Sequence, residues 1–179
     1  MDLVIISGGP GAGKTTLINA LSAQGYMTFA EGSRTLIEEQ SVRADGILPW
    51  TNLPAFAELC LALMSEQKRQ ASGATVAFFD RAIPDIIGYL KMGRCEVPTA
   101  LHQASQGYYA KVFVCKPESS IYVQDEVRPH TFAEALQIHQ MLVECYRDLG
   151  YQVVEVPWGS VAERVAFILQ HVRCKVNSL

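Results

Sequence analysis

The stretch that most constrains the fold lies near the start of the chain, where residues 3–21 read LVIISGGPGAGKTTLINAL. Four apolar residues, typical of a buried strand, lead into a bend that contains four glycines and one proline. A lysine, two threonines and a segment of helical periodicity follow. So many glycines between a strand and a helix predict a loop whose backbone approaches a ligand closely, because glycine has no Cβ to obstruct it.

Residues 8–15, GGPGAGKT, match the pattern G-x-x-x-x-G-K-[ST] in full. In this pattern the loop N–H groups converge on nucleotide phosphates, assisted by the positive end of the helix macrodipole. Lys14 adds a charge near the β- and γ-phosphates, and Thr15 offers a hydroxyl to Mg²⁺. The predicted nucleotide-binding residues are Gly8, Gly9, Pro10, Gly11, Ala12, Gly13, Lys14, Thr15 and Thr16.

Apolar runs of strand length alternate with segments of helical periodicity along the chain. The sequence predicts strands at residues 2–7, 26–30, 75–80, 111–115 and 152–156. It predicts helices at residues 14–24, 33–43, 54–71, 84–92, 99–109, 131–149 and 161–172. This alternation indicates an α/β fold with parallel strands and with helices on both faces of the sheet. No linker or repeat interrupts the 179 residues, so we expect one domain over residues 1–179.

Three helix ends carry sequence signals of their own. Thr131 with Glu134, and Ser160 with Glu163, fit the capping box that begins a helix. Gly150 follows the long helix, where a C-terminal glycine is expected.

The composition excludes several classes of protein. Residues of hydrophobic type make up 49% of the chain and charged residues only 18%, which suffices for a large core. A net charge of −3 predicts no nucleic-acid partner, and the longest apolar stretch, residues 53–64, is too short to insert across a membrane. The five cysteines include no C-x-x-C pair, and their odd number fits a reducing compartment. We therefore expect a cytoplasmic protein.

Charged residues stand at the end of the third predicted strand. Ligands of open parallel sheets bind beyond the carboxyl ends of the strands. Asp80 stands where nucleotide-binding folds of this kind hold Mg²⁺, and the guanidinium of Arg81 can reach transferring phosphate oxygens. The alternative is that Asp80 caps the following turn or pairs with Arg81.

The end of the second predicted strand offers a second charged pair. Glu31 can act as general base for an acceptor hydroxyl or orient a water that holds the metal, and Arg34 can grip a polar acceptor. The alternative is a plain helix start, with Glu31 near the helix dipole and Arg34 in solvent. We expect the acceptor to lie between Glu31 and the region of Asp85.

Two later loops complete the predicted site. Residues 125–130, DEVRPH, are predicted to form a lid that carries Arg128 onto the phosphates, or else a surface loop in which Arg128 pairs with Asp125 or Glu126. Residues 156–160, VPWGS, follow the fifth strand and would contact the nucleotide base if the strand order is 2-3-1-4-5.

These motifs together resemble a known family. The segments are GGPGAGKTT, FAEGSR, FFDRAIPDIIGYL, VFVCKPESSIYVQDEVRPHTFAEA and LGYQVVEVPWGSVAERVAFIL. They resemble the small P-loop ATPases of the AAA-domain type that are built like nucleoside kinases. The resemblance runs from Asp2 to Leu169. The family is similar to ribosylnicotinamide kinases and, more distantly, to deoxynucleoside and thymidylate kinases.

The resemblance implies roles for matching residues. Lys14 and Thr15 would bind phosphate and Mg²⁺, and Glu31 would serve as base. Asp80 and Arg81 match the strand-end acidic–arginine pair, and Arg128 matches the lid arginine. One departure is that this lid has a single arginine flanked by acids, where many kinase lids have several. The implied fold is a three-layer P-loop NTPase with a five-stranded parallel sheet in the order 2-3-1-4-5.

Two functions are compatible with this site. The first is a small-molecule kinase that transfers the γ-phosphoryl group of ATP to a nucleoside-like hydroxyl acceptor, with Mg²⁺. The second is a nucleotide-dependent switch with slow hydrolysis and a protein partner. The Asn-Lys-x-Asp stretch that reads guanine does not occur, so ATP is expected, with GTP as the alternative.

Overall fold

The computed structural model describes residues 1–124 and 130–173, without the side chain of Arg173. Its strands are β1 (Asp2–Ser7), β2 (Met27–Phe29), β3 (Val76–Asp80), β4 (Lys111–Val114) and β5 (Gln152–Glu155). All neighbouring strands are parallel, in the order β2-β3-β1-β4-β5. The predicted five-stranded parallel sheet and its strand order are confirmed.

Seven helices connect and cover these strands in the described residues. They are α1 (Lys14–Ala23), α2 (Gly32–Ser41), α3 (Leu53–Gln70), α4 (Ile83–Met92), α5 (Thr99–Ala104), α6 (Phe132–Asp148) and α7 (Val161–Arg173). A short 3₁₀ turn, Ser119–Ile121, follows β4 and was not predicted. None of the described helices is long and apolar enough to cross a membrane.

Strand β1 shows how the two faces of the sheet are covered. Val4 and Ile6 point into a core shared with α1 and α7, whereas Leu3 and Ile5 face the opposite side. There Ile5 packs with Val143 and Tyr146 of α6. Successive side chains of a strand alternate between faces, so an unbroken apolar run indicates a strand that is covered on both. The three-layer arrangement follows.

Most predicted elements lie within a few residues of their observed bounds, but α5 is a correction. A helix was predicted over residues 99–109, and α5 ends at Ala104. The chain turns at Gly107, which has a φ of 85°, and the Tyr109 N–H then donates to the Leu3 carbonyl at 2.9 Å. This hydrogen bond to β1 aligns the chain for the start of β4. A tertiary contact therefore ends the helix earlier than the periodic pattern of residues 99–109 predicts.

The predicted helix ends are confirmed. At α6 the Thr131 N–H donates to the Glu134 carboxylate at 2.6 Å, and the Glu134 N–H donates to the Thr131 hydroxyl at 3.2 Å. Ser160 and Glu163 form the same reciprocal pair before α7, at 2.8 and 3.2 Å. Gly150 follows the C-cap of α6 with a φ of 86°.

Candidate active site

Residues 8–15, called here the phosphate loop, connect β1 to α1 at the carboxyl end of the central strand. Gly8 has a φ of 122°, and a Cβ there would overlap the carbonyl oxygen of Cys115, which follows β4. Only glycine fits so close a backbone approach. Helix α1 begins directly after Gly13, which has no side chain to cap the first N–H groups, and Thr15 and Thr16 are exposed. These N–H groups and the helix dipole suit the loop to an anion.

Lys14 lies folded across the phosphate loop. Its ammonium nitrogen donates to the Gly9 carbonyl at 3.0 Å, and the residue is only 6% exposed. Burial and the nearby charge of Arg81 lower the pKa of Lys14. An anion in the loop would oppose both effects. The role of Lys14 in phosphate binding stays a prediction.

Asp80 ends β3 and is 2% exposed. Burial raises the pKa of its carboxyl to about 6, with Lys14 opposing and Glu31 reinforcing the shift. Its Oδ1 is buried and accepts no hydrogen bond from any residue that the structure describes. Buried oxygens of this kind normally have a partner, so Oδ1 is suited to accept a hydrogen bond from a ligand or a metal-bound water.

Arg81 and Glu31 follow two different strands, β3 and β2, and their side chains are in contact. Arg81 Nε lies 3.3 Å from Glu31 Oε1, and its Nη1 lies 3.4 Å from Asp85 Oδ1. In the described part of the chain the Nε–H completes no hydrogen bond, although it lies within ion-pair distance of the Glu31 carboxylate. Arg81 has a φ of 61°, a backbone conformation that is uncommon for a non-glycine residue and recurs at functional sites.

Glu31 occupies the N-cap position of α2 and is half-buried. Its Oε1 accepts a hydrogen bond from the Ser33 hydroxyl at 2.9 Å. Burial alone would raise the pKa of Glu31, but Arg81 and Lys14 hold it below the usual value. Arg34, in the first turn of α2, adds to this lowering. Glu31 is thus a carboxylate at neutral pH, as a proton acceptor must be.

Asp85, predicted to lie next to the acceptor, forms its hydrogen bonds within the protein. It is buried in the first turn of α4, and the Ser7 hydroxyl donates to its Oδ1. The Ala82 N–H and the Tyr146 hydroxyl donate to its Oδ2 at 2.9 and 2.5 Å. The protein's own donors therefore occupy both oxygens. Asp85 orients Arg81, and its direct contact with an acceptor stays a prediction.

The lid arginine, Arg128, lies outside the described residues, together with its alternative partners Asp125 and Glu126. Its role likewise stays a prediction. No group of three or more His, Cys, Asp or Glu side chains arranged to hold a metal occurs within residues 1–124 and 130–173.

A cavity of about 300 Å³ lies beside the phosphate loop, at the carboxyl ends of β4 and β5. Arg164 of α7, on its wall, donates from both Nη atoms to the Ala12 carbonyl at 3.3 Å. Its guanidinium lies 5.1 Å from the ring centre of Trp158. Val156 and Trp158, from the segment predicted to contact the base, line the cavity. The segment therefore borders a cavity next to the phosphate loop, and its contact with a nucleotide base stays a prediction.

Sequence reasoning missed four residues of this region: Tyr89, His139, Tyr146 and Arg164. Tyr89 places its ring 5.5 Å from the Arg81 guanidinium, and Tyr146 binds Asp85. His139 accepts a hydrogen bond from the Gly9 N–H. All four lie within helices, where the periodic pattern shows which face is buried but not which distant segment it contacts.

Solved structures of similar fold include three kinases. A deoxyadenosine kinase from M. mycoides, solved with dCMP and dCDP bound, has a TM-score of 0.65 at 14% identity, covering 96% of this chain and 99% of that chain. A shikimate kinase from Acinetobacter baumannii, in complex with shikimate, gives 0.64 at 13% identity, over 99% and 96%. A thymidylate kinase from Candida albicans gives 0.60 at 15% identity, over 98% and 92%. At these identities the likeness shows a shared fold.

Comparison with curated protein sequences gives no match. A family model described as an AAA domain matches residues 3–164, which include the phosphate loop, the strand-end charges and Arg164. The match covers most of the chain and agrees with the resemblance drawn from its motifs. The chain belongs to this AAA domain family.

Proposed function

We propose that the protein is a small-molecule kinase that transfers the γ-phosphoryl group of ATP to a hydroxyl group of a nucleoside-like acceptor. The observation that carries the proposal is the pairing of Glu31 with Arg81 at 3.3 Å, in the same charge cluster as Lys14. A carboxylate next to a fixed cation places a proton acceptor beside a group that stabilises phosphoryl charge. The three kinases of similar fold support this reading.

Each part of the site has a distinct role in this proposal. The phosphate loop amides and Lys14 bind the phosphates, and the cavity beside Trp158 receives the base. Glu31 accepts the proton of the acceptor hydroxyl. The oxygen of that hydroxyl bonds to the γ-phosphorus while the bond between the γ-phosphorus and the β–γ bridging oxygen breaks, which releases ADP. Arg81 stabilises the charge that spreads over the transferred group.

The donor set also fits a magnesium ion. The Thr15 hydroxyl at the start of α1 and the unpaired Oδ1 of Asp80 are the oxygens that would hold it, directly or through water. When bound, Mg²⁺ neutralises charge on the β- and γ-phosphoryl oxygens. We place this reaction in the cytoplasm.

The test is an acceptor screen with γ-labelled ATP and Mg²⁺ over nucleosides, phosphorylated sugars and vitamins. The expected result is a labelled product with at least one hydroxyl acceptor, lost in Glu31→Gln although this variant still binds ATP. ATP binding without any labelled product would overturn the proposal. Slow ATP hydrolysis at a rate that no acceptor changes, together with a protein partner bound in only one nucleotide state, would instead favour the nucleotide-dependent switch.

A further inference from the structure

His139 lies in the middle of α6, far along the chain from the phosphate loop that it contacts. It is only 7% exposed, and its Nδ1 accepts a hydrogen bond from the Gly9 N–H at 3.2 Å. The carbonyl oxygen of the same Gly9 accepts the Lys14 ammonium at 3.0 Å. Both polar groups of the Gly9 backbone therefore have a partner. The N–H is bound by His139 of α6, and the carbonyl is bound by Lys14, the predicted phosphate-binding cation.

The packing around Gly9 makes this contact a close one. A Cβ at Gly9 would lie 2.6 Å from the Ala135 carbonyl oxygen and 3.0 Å from the His139 Cβ. Ala135 and His139 are one turn apart on α6, so the loop backbone lies directly on this helix. The Pro117 side chain lies 2.6 Å from the same position. The Cβ side of Gly9 is therefore closely packed, and no larger residue fits there.

We infer that His139 is a positioning residue of the nucleotide site, whose neutral imidazole fixes Gly9 and thereby the Lys14 ammonium in the orientation that receives phosphates. The inference rests on the proposed nucleotide site and adds a residue to it. His139 does not touch the nucleotide in this arrangement. It acts through the backbone of Gly9.

The protonation state of His139 decides whether the bond exists. An unprotonated Nδ1 accepts the Gly9 N–H, whereas in the imidazolium both nitrogens are donors. Burial lowers the pKa of His139. The charge of Glu155, the last residue of β5, opposes the shift, and the charges of Lys116, Lys14 and Arg81 reinforce it. The imidazole is therefore neutral at pH 7.5, and the bond is lost only as the pH falls below the ordinary histidine value of about 6.5.

Two substitutions separate the hydrogen bond from the bulk of the side chain. In His139→Asn the amide oxygen stands as far from the Cβ as Nδ1 does and accepts the Gly9 N–H without titrating. In His139→Leu the volume is retained but the acceptor is lost. His102→Asn, on the exposed side of α5, is the matched control for replacing a histidine.

The first measurement is the ATP·Mg²⁺ affinity at pH 7.5. We expect His139→Leu to bind about five- to tenfold more weakly, the factor that corresponds to one lost hydrogen bond with a buried donor. His139→Asn should remain within about twofold of the unaltered protein, since its hydrogen bond is kept. Equal affinities of the Leu variant and the unaltered protein, or equal losses in the Leu and Asn variants, would overturn the inference.

The second measurement is the ratio of the affinities of the unaltered protein and His139→Asn between pH 7.5 and 5.5. Titration of ATP itself cancels in this ratio. Binding by the unaltered protein should weaken relative to the Asn variant as the pH falls, because the protonation of Asp80 is common to both proteins and only the unaltered one has a His139 imidazole to protonate. A ratio that stays flat through the pH at which an NMR titration shows the His139 imidazole to take up its proton would contradict the requirement for a neutral imidazole.

A third measurement needs no nucleotide and so separates this inference from the proposed function. Amide hydrogen exchange of a peptide containing Gly9 should be faster in His139→Leu than in the unaltered protein, and unchanged in His139→Asn and His102→Asn. If His139→Leu fails to fold, the pH-dependent ratio still decides. If the unaltered protein binds no ATP, the proposed function fails, and the exchange rates alone test whether His139 holds the loop.

Discussion

Lys14 is a cation that the fold keeps almost entirely out of solvent, above a loop that has no acidic side chain of its own. Burial lowers its pKa, which means that the charge costs stability in the absence of an anion. Lys14→Ala should therefore weaken ATP binding at least tenfold while leaving the fold intact. Calorimetric titration and thermal unfolding measure the two effects.

The matched control for Lys14→Ala is Lys91→Ala. Lys91 is exposed on α4, and its ammonium comes no closer than 4.0 Å to the Asp148 carboxylate. So weak a surface ion pair adds little, and Lys91→Ala should change neither the ATP affinity nor the melting temperature. Normal ATP affinity in Lys14→Ala would contradict the placement of the phosphates in this loop.

Asp80 allows a prediction about magnesium. Its raised pKa, about 6 against 3.8, means that the charged carboxylate opposes folding at neutral pH and that protonation would favour the folded state. Asp80→Asn removes the charge at nearly constant volume, so the melting temperature of the nucleotide-free protein should rise. The same change should abolish the gain in ATP affinity that Mg²⁺ gives the unaltered protein.

Binding of ATP to Asp80→Asn is measured with Mg²⁺ and then with EDTA. An affinity that still increases with Mg²⁺ to the original extent would show that Asp80 does not hold the ion. A lowered melting temperature would show that the carboxylate has a stabilising partner.

The charges of the site were predictable one by one, but their pairing was not. Asp80, Arg81 and Glu31 are visible in the sequence because each lies at or just after the end of an apolar strand, and parallel strands align their carboxyl ends. The contact of His139 with Gly9 joins residues 130 positions apart, and that of Arg164 with Ala12 joins residues 152 positions apart. Helical periodicity carries no information about partners at such separations.

At the scale of elements, helix starts were predictable because their signals are local. A capping box needs two side chains three residues apart, and both predicted boxes form. The end of α5 was mispredicted because Tyr109 pairs its N–H with Leu3, a contact that no window of residues 99–109 contains. A local pattern predicts the end of a helix only where nearby residues bind the free N–H or carbonyl groups of that end.

The box at α6 gives a prediction of stability. Thr131→Ala removes the hydroxyl that accepts the Glu134 N–H at 3.2 Å and should cost about 1 kcal/mol in the free energy of unfolding. For a chain of this length the cost corresponds to a melting temperature lowered by about 2–4 °C. Ser160→Ala, which removes the equivalent acceptor before α7, should act similarly.

Thr99→Ala is the control for these cap substitutions. Thr99 is an exposed residue of the first turn of α5, but the N-cap there is Pro98, so the hydroxyl is not in the capping position. Its loss should change the free energy of unfolding by less than about 0.5 kcal/mol. An equal effect of all three substitutions would mean that threonine and serine hydroxyls matter here for a reason other than capping.

At the scale of the whole molecule, the phosphate loop is held from both faces of the sheet. Arg164 reaches Ala12 from α7, which packs with α1 on one face. His139 reaches Gly9 from α6, which packs on the other. The two helix layers therefore meet at one short loop, and we expect a ligand bound in the loop to stabilise both.

This arrangement predicts how ligands shift thermal unfolding. ATP at a hundred times its dissociation constant should stabilise the folded state by about 2.7 kcal/mol. That corresponds to a rise of about 5–10 °C in melting temperature for a chain of this size. Inorganic tripolyphosphate, which has no base, should give a smaller rise through the loop alone.

Trp158→Ala tests how the ligand divides between the loop and the cavity. Trp158 is 52% exposed, so its removal should leave the unliganded melting temperature nearly unchanged. The shift caused by ATP should shrink towards that of tripolyphosphate, whose own shift is retained, because only the base contacts the cavity. Lys14→Ala should reduce both shifts. Full retention of the ATP shift in Trp158→Ala, or loss of both shifts in parallel, would exclude this cavity as the base site.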